Sequence, residues 1–236
     1  MTRRKILVVD DDEAVLDYLR AKLGARYELL AVNGRAALEA ARRSWPDAVF
    51  LDLEMPVMDG YEAAVALRRM EREGGLRRCT IVAISSNDEQ PIIQRALAAG
   101  CDHYLIKPPS RDALLRILAG KPPLAPAALP EAAAEDAVEL DPDLEASLPA
   151  FFASRRKALD EMPAALGNGD RARFKRLAHK LAGSFTLYGF RWAAARCREL
   201  ERGAVSDDSD SLRKEAENVR AHLDSVKVRL QAEEPK

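Results

Sequence analysis

The stretch Phe50-Leu51-Asp52-Leu53-Glu54-Met55-Pro56 decides how the first half of the chain folds. Residues 47–52 are a short apolar run that ends in a carboxylate, and Pro56 follows four residues later. Such a run reads as a strand that stops where chemistry can begin. Upstream, residues 5–10 form a second strand, apolar on both faces, of the kind found in the middle of a helix-covered parallel sheet. Helical periodicity follows over 12–23 (Val15, Leu19, Leu23), with Gly24 as a stop. A strand over 27–32 and a helix over 35–44 fill the space before residue 47. Downstream come a helix within 60–73, a strand over 80–85, a helix over 91–99 that stops at Gly100, a strand over 102–106 and a helix over 111–118. This strict alternation predicts an α/β doubly wound, five-stranded parallel sheet with right-handed crossovers and flavodoxin-like strand order.

Residues 121–139 lack an apolar face and are rich in Ala and Pro, so they read as a linker. The domains expected are therefore 1–120, the linker 121–139, and 140–236. After Asp141 the pattern is helical throughout. One stripe runs through Leu144, Leu148, Phe152, Leu159, Met162 and Leu166. A second takes in Phe174, Leu177, Leu181, Phe185 and Tyr188, and a third Phe190, Ala194, Cys197 and Leu200. The fourth runs from Leu212 through Val226 to Leu230. Four amphipathic helices with short connections predict an all-α antiparallel bundle.

The bulk numbers exclude several classes of function. Lys+Arg number 37 and Asp+Glu 38 in 236 residues, so there is no net charge to draw nucleic acid or a membrane surface. No apolar run approaches the ~20 residues of a spanning helix, and residues 6–9 are too short for a signal-peptide core. Cys79, Cys101 and Cys197 lack metal-type spacing and read as reduced thiols of a cytoplasmic protein.

Candidate chemistry gathers at the strand ends. Asp10 and Asp11 close the first strand, Asp52 the third, Ser85 the fourth and Lys107 the last. In a doubly wound sheet these positions share one edge, where ligands bind. Crowded carboxylates there call for a hard cation such as Mg²⁺, and the set can hold a phosphoryl group against a nucleophilic Asp. In the second half, Ala178-His179-Lys180-Leu181-Ala182-Gly183-Ser184 places an imidazole on a helix. His179 lies about 200° around the helix from both Leu177 and Leu181, so it points away from the core. Gly183, which costs ~1 kcal/mol in a helix interior, leaves room beside it.

Residues 3–119 resemble the receiver domain of bacterial response regulators. The resemblance is carried by Ile6-Leu7-Val8-Val9-Asp10-Asp11, by Asp52 to Gly60 with Met55-Pro56 and Met58-Asp59-Gly60, by Ala83-Ile84-Ser85-Ser86 and by Tyr104-Leu105-Ile106-Lys107-Pro108. It implies that Asp52 is the phosphoacceptor and that Asp11, Asp52 and the Glu54 backbone carbonyl bind Mg²⁺, with Asp10 helping through water. It implies that Ser85 and Lys107 contact the phosphoryl group and that Tyr104 is a switch residue. Glu54 and Asn87 would tune phosphate lifetime, and Lys107-Pro108 would be cis. Residues 140–232 resemble a histidine phosphotransfer (HPt) domain through the His179 motif, Leu187-Tyr188-Gly189-Phe190 and Leu200-Glu201, which implies that His179 carries phosphohistidine. The family usually has Lys three residues after the histidine. Here that residue is Ala182, with Lys175 or Arg176 as conceivable substitutes.

The reading is a two-component phosphorelay signalling protein that catalyses its own aspartyl phosphorylation and is not a turnover enzyme. Its donor would be a sensor histidine kinase or another HPt protein, and its acceptor another receiver domain, with no direct nucleic-acid or membrane partner. The rival reading is a phosphorylation-gated binding module whose bundle is never phosphorylated, and Ala182 favours it.

Overall fold

The computed structural model describes residues 4–24, 30–31, 33–123 and 137–231. The chain divides into two compact units, Met1–Ala128 and Leu129–Lys236. In the first, strands β1 (Ile6–Val9), β2 (Leu30–Ala31), β3 (Ala48–Asp52), β4 (Thr80–Ser85) and β5 (His103–Ile106) alternate with helices α1 (Glu13–Leu23), α2 (Gly34–Arg43), α3 (Gly60–Glu73), α4 (Gln90–Ala98) and α5 (Arg111–Leu118). All pairings are parallel, in the order β2-β1-β3-β4-β5. Four strands are of ordinary length; the edge strand β2 is represented by two described residues. The rest of the strand expected over 27–32 lies outside the described residues.

β1 and β3 are buried at every position. Both of their faces are covered, so apolar runs without alternation form them. Leu7, Val9, Val49, Leu51, Ile81 and Ala83 pack with Ala37, Leu38, Ala63 and Leu67 from α2 and α3. The β1–β3 register, Val9 opposite Leu51, sets Asp10 and Asp52 side by side at the carboxyl edge. α3 begins with a capping box, Asp59 and Glu62 each accepting the other's backbone N–H. Its first residue must be glycine: a Cβ on Gly60 would lie 2.1 Å from the Asp52 carbonyl oxygen. The start of α3 therefore rests directly on the backbone of Asp52.

A buried cation ties the far side of this unit together. Arg68 is 6% exposed. Its guanidinium donates to the carbonyls of Cys79 and Gly100 and to the carboxylates of Glu71 and Asp102. Burial works to raise the Asp102 carboxyl, but the Ile81 N–H, Arg78 and Arg68 hold it below the usual range.

The second unit has the expected four helices: α6 (Leu148–Gly167), α7 (Arg171–Leu187), α8 (Arg191–Gly203) and α9 (Ser209–Ser225). The first stripe begins in a separate 3₁₀ turn, Pro142–Ser147, before α6. The last helix does not run to Leu230 as its stripe predicted. Val226 turns extended (φ −65°, ψ 134°), and Lys227–Leu230 forms strand β7. It pairs in parallel with β6, Ala137–Leu140. The end of the expected linker is thus strand; residues 124–136 lie outside the described residues. Val138 and Leu140 point inward at 1% and 0% exposure, a period of two that suits a strand and not a spacer.

Aromatic rings fill one end of the bundle. Phe151 stacks on Tyr188 with centroids 4.0 Å apart and meets Phe185 and Phe190 at 5.9 and 5.4 Å. Tyr188 keeps its hydroxyl satisfied on Ser147, 2.8 Å away. Phe151 is the fully buried residue of the pair, where the stripe had placed Phe152. Arg155 is also buried, bonded to Ser184 and with its guanidinium 5.7 Å from the centre of the Phe151 ring. Among the described residues no helix is long and apolar enough to cross a membrane.

Candidate functional site

The strand order reverses between β1 and β3, and this is where a doubly wound sheet opens a crevice. Asp10 and Asp52, 3% and 5% exposed, meet there. Lys107, from the end of β5, reaches both: its Nζ is 2.9 Å from Asp10 Oδ2 and 2.8 Å from Asp52 Oδ1. The remaining carboxylate oxygens are oriented by backbone. Asp10 Oδ1 accepts the Asp12 N–H and Asp52 Oδ2 accepts the Glu54 N–H. Asp12 itself caps α1 by accepting the Ala14 N–H.

The pocket carries more negative charge than Lys107 can balance. Burial raises the Asp10 carboxyl well above the usual carboxylate range; Lys107 pulls it back, and Asp52 and Asp12 push it up again. Burial opposes the Lys107 ammonium, but Asp10 and Asp52 outweigh it and raise its pKa, so it stays charged. Hard oxygen donors in excess of the local positive charge are the donor set of a magnesium site. Asp10 and Asp52, with the half-buried Asp11 beside them, fit that ion.

Ser85 is buried at the end of β4, and its Oγ accepts the Asn87 N–H at 3.2 Å. The Tyr104 hydroxyl donates to the Asn87 carbonyl at 2.6 Å. The three residues expected on the β4–β5 side are therefore linked in one chain of hydrogen bonds. Glu54 is exposed beyond β3, and Lys107-Pro108 is cis as expected. Val57, in the same loop as Glu54, has φ 72°, a backbone region strained for a β-branched residue.

In the second unit, His179 does not simply extend into solvent. Its side chain is 17% exposed and its Nδ1 lies 3.1 Å from Glu201 Oε1 on α8. A carboxylate there is placed to accept a proton from Nδ1, which would leave the ring's lone pair on Nε2. Glu201 enters the candidate site only through this packing; in the sequence, Leu200-Glu201 carries a resemblance and no assigned role. It follows the buried Cys197 by one helical turn and so flanks the face that α8 turns toward α7. Lys175 and Arg176 sit in the turn before His179 and are exposed.

The fold and the lysine-clamped acid pocket define a receiver-type domain, and the helices after it a carrier bundle. Residues 6–119 match the response regulator receiver domain family and residues 147–229 the Hpt domain family. The chain is a receiver domain joined to a C-terminal Hpt domain. It is 40% identical over 108 residues to hybrid signal transduction histidine kinase G of Dictyostelium discoideum, a match spanning 44% of this chain and 3% of that protein. It is 40% identical over 110 residues to transcriptional regulatory protein PrrA of Mycobacterium tuberculosis, 46% of this chain and 45% of that one. It is 31% identical over 107 residues to chemotaxis protein CheY of Halobacterium salinarum, 44% of this chain and 85% of that one. The chain thus spans less than half the length of the first two.

Proposed function

We propose that the protein is a phosphorelay carrier in which Asp52 takes a phosphoryl group from a phosphohistidine donor and His179 exchanges phosphoryl groups with a receiver aspartate. The observation that carries this reading is the Lys107 bridge between Asp10 and Asp52, found in one chain with a carboxylate-held imidazole. Asp52 Oδ1 would attack the donor phosphorus in line. Lys107 would turn from the carboxylates toward the new phosphoryl oxygens, and the Ser85 hydroxyl would donate to one of them. Such catalysis is positioning and charge neutralisation. Asp10, Asp11, Asp52 and the Glu54 carbonyl would hold Mg²⁺, which supplies charge neutralisation at the phosphoryl oxygens when bound. Tyr104, bonded to the Asn87 carbonyl, would report the state of Ser85, and Glu54 and Asn87 would set phosphate lifetime.

The donor is a sensor histidine kinase or another HPt protein, and the acceptor for His179 is a receiver domain. Three reduced, buried thiols support a cytoplasmic location. The test uses the full chain with a labelled phosphodonor, comparing Asp52→Asn and His179→Gln. Label that survives in both variants unchanged in amount rules out both acceptors. The expected result is a hydroxylamine-sensitive acyl phosphate that Asp52→Asn abolishes and an acid-labile phosphate that His179→Gln abolishes. A chain that carries only the acyl phosphate is the phosphorylation-gated binding module instead.

A further inference from the structure

We propose that Arg198 of α8 supplies the cation that holds the phosphoryl group on His179; this rests on the function proposed above. The Arg198 guanidinium donates from Nη2 to Thr186 Oγ1 at 2.8 Å, and that hydroxyl donates to the Ala182 carbonyl at 2.7 Å. His179, Ala182 and Thr186 are spaced i, i+3 and i+7 on α7, so they share one flank of the helix. On α8, Arg198 and Glu201 are three residues apart and also share a flank. The pairings of His179 with Glu201 and Thr186 with Arg198 show that these two flanks face each other in antiparallel order. A carboxylate therefore stands beside the imidazole and a guanidinium stands further along the same seam. Between them on α7 lies Ala182, a small residue that is 1% exposed.

The chemistry assigns the two groups complementary tasks. In transfer, the Nε2 lone pair attacks the phosphorus of an aspartyl phosphate. The P–N bond forms as the P–O bond breaks, and that bond's electron pair returns to the aspartate carboxylate. The imidazole becomes cationic and keeps its Nδ1 proton against Glu201, so no proton has to leave. The phosphoryl oxygens carry negative charge that Glu201 cannot stabilise. Arginine can: its planar fork meets two such oxygens at once, and a charge-assisted bond to them is stronger than a bond to a neutral hydroxyl such as that of Thr186. Arg198 would thus swing along the seam past Ala182 when His179 is charged. A longer side chain at the buried position 182 would crowd that seam.

The experiment uses the full chain carrying Asp52→Asn, so that label cannot reside on Asp52, with phosphoramidate as the phosphodonor and the label at residue 179 located by peptide mapping. Arg198→Gln is expected to slow labelling of His179 and shorten the half-life of the phosphohistidine, each about tenfold, with an unchanged thermal midpoint. Arg198→Lys is expected to recover part of the loss. Labelling and lifetime in Arg198→Gln equal to those of the parent would overturn the role of Arg198 while leaving His179 as the acceptor. Equal losses in Arg198→Gln and Arg198→Lys, with lowered melting temperatures in both, would also overturn it, since the residue would then be structural. No label on residue 179 in the parent chain would instead remove the function proposed above, and this inference with it.

Discussion

The acid pocket of the receiver domain and the imidazole site of the bundle are built in opposite ways. In the pocket, backbone does the placing. The β1–β3 ladder sets Asp10 beside Asp52, amide N–H groups orient both carboxylates, and Gly60 lets α3 rest on the Asp52 carbonyl. In the bundle, side chains do the placing: Glu201 holds His179 and Arg198 reaches Thr186 across two packed helices. A site made by backbone register is stiff and fails together with its fold. A site made by side chains can be retuned one residue at a time while the helices stay packed.

The largest effect expected is at Lys107. Lys107→Ala removes the cation shared by two buried carboxylates, and initial rates of Asp52 phosphorylation should fall ~100-fold or more, the scale seen when one charge-stabilising donor is deleted from an active site. A loss under tenfold would show that charge in the pocket is balanced elsewhere. Gly60→Ala comes next. Its Cβ would collide with the Asp52 carbonyl, so denaturant unfolding of the receiver should lose about 3 kcal/mol and phosphorylation should slow in step. If stability fell and the phosphorylation rate did not, backbone would not be positioning Asp52.

Glu201→Ala is the matching cut in the bundle. His179 labelling should slow about tenfold, equivalent to ~1.4 kcal/mol, while the bundle's unfolding midpoint stays close to that of the parent chain. A large fall in stability would erase the contrast between the two sites. The smallest effect is a pH dependence at Asp102. Its folded carboxyl is held below the unfolded value, so its stabilising contribution is complete above about pH 4 and is lost as pH falls through the folded pKa. Asp102→Asn should therefore cost roughly 1 kcal/mol at neutral pH, an amount reduced by solvent screening, and should flatten the loss of stability in acid. Urea melts at pH 7 and pH 3 measure both.

The same contrast governs what could be read from the residues alone. Strand ends carrying Asp10, Asp52, Ser85 and Lys107 are legible because register and alternation are local patterns, and strand order brings those ends together. His179 is legible as a polar position on an apolar-striped helix. Its partner is not, because Glu201 becomes meaningful only once α7 and α8 pack. β6 and β7 escape notice for a related reason. Each is four residues long and its partner lies ninety positions away, so neither shows a period that a local window detects. Val226 and Leu230 even continue the helical spacing of α9. Arg68 and Arg155 look like surface charges on amphipathic helices, and only the carbonyls, carboxylates and hydroxyls that surround them explain their burial.

The β6–β7 pairing also has a mechanical side. The strands run parallel, so the chain enters this ribbon at Ala137 and leaves it after Leu230 at the opposite end. Tension applied between those two points would load every rung of the ladder together in shear, not peel the rungs one by one. The Hpt unit is thereby locked across its own ends, and a pull arriving along the chain would meet its strongest direction first.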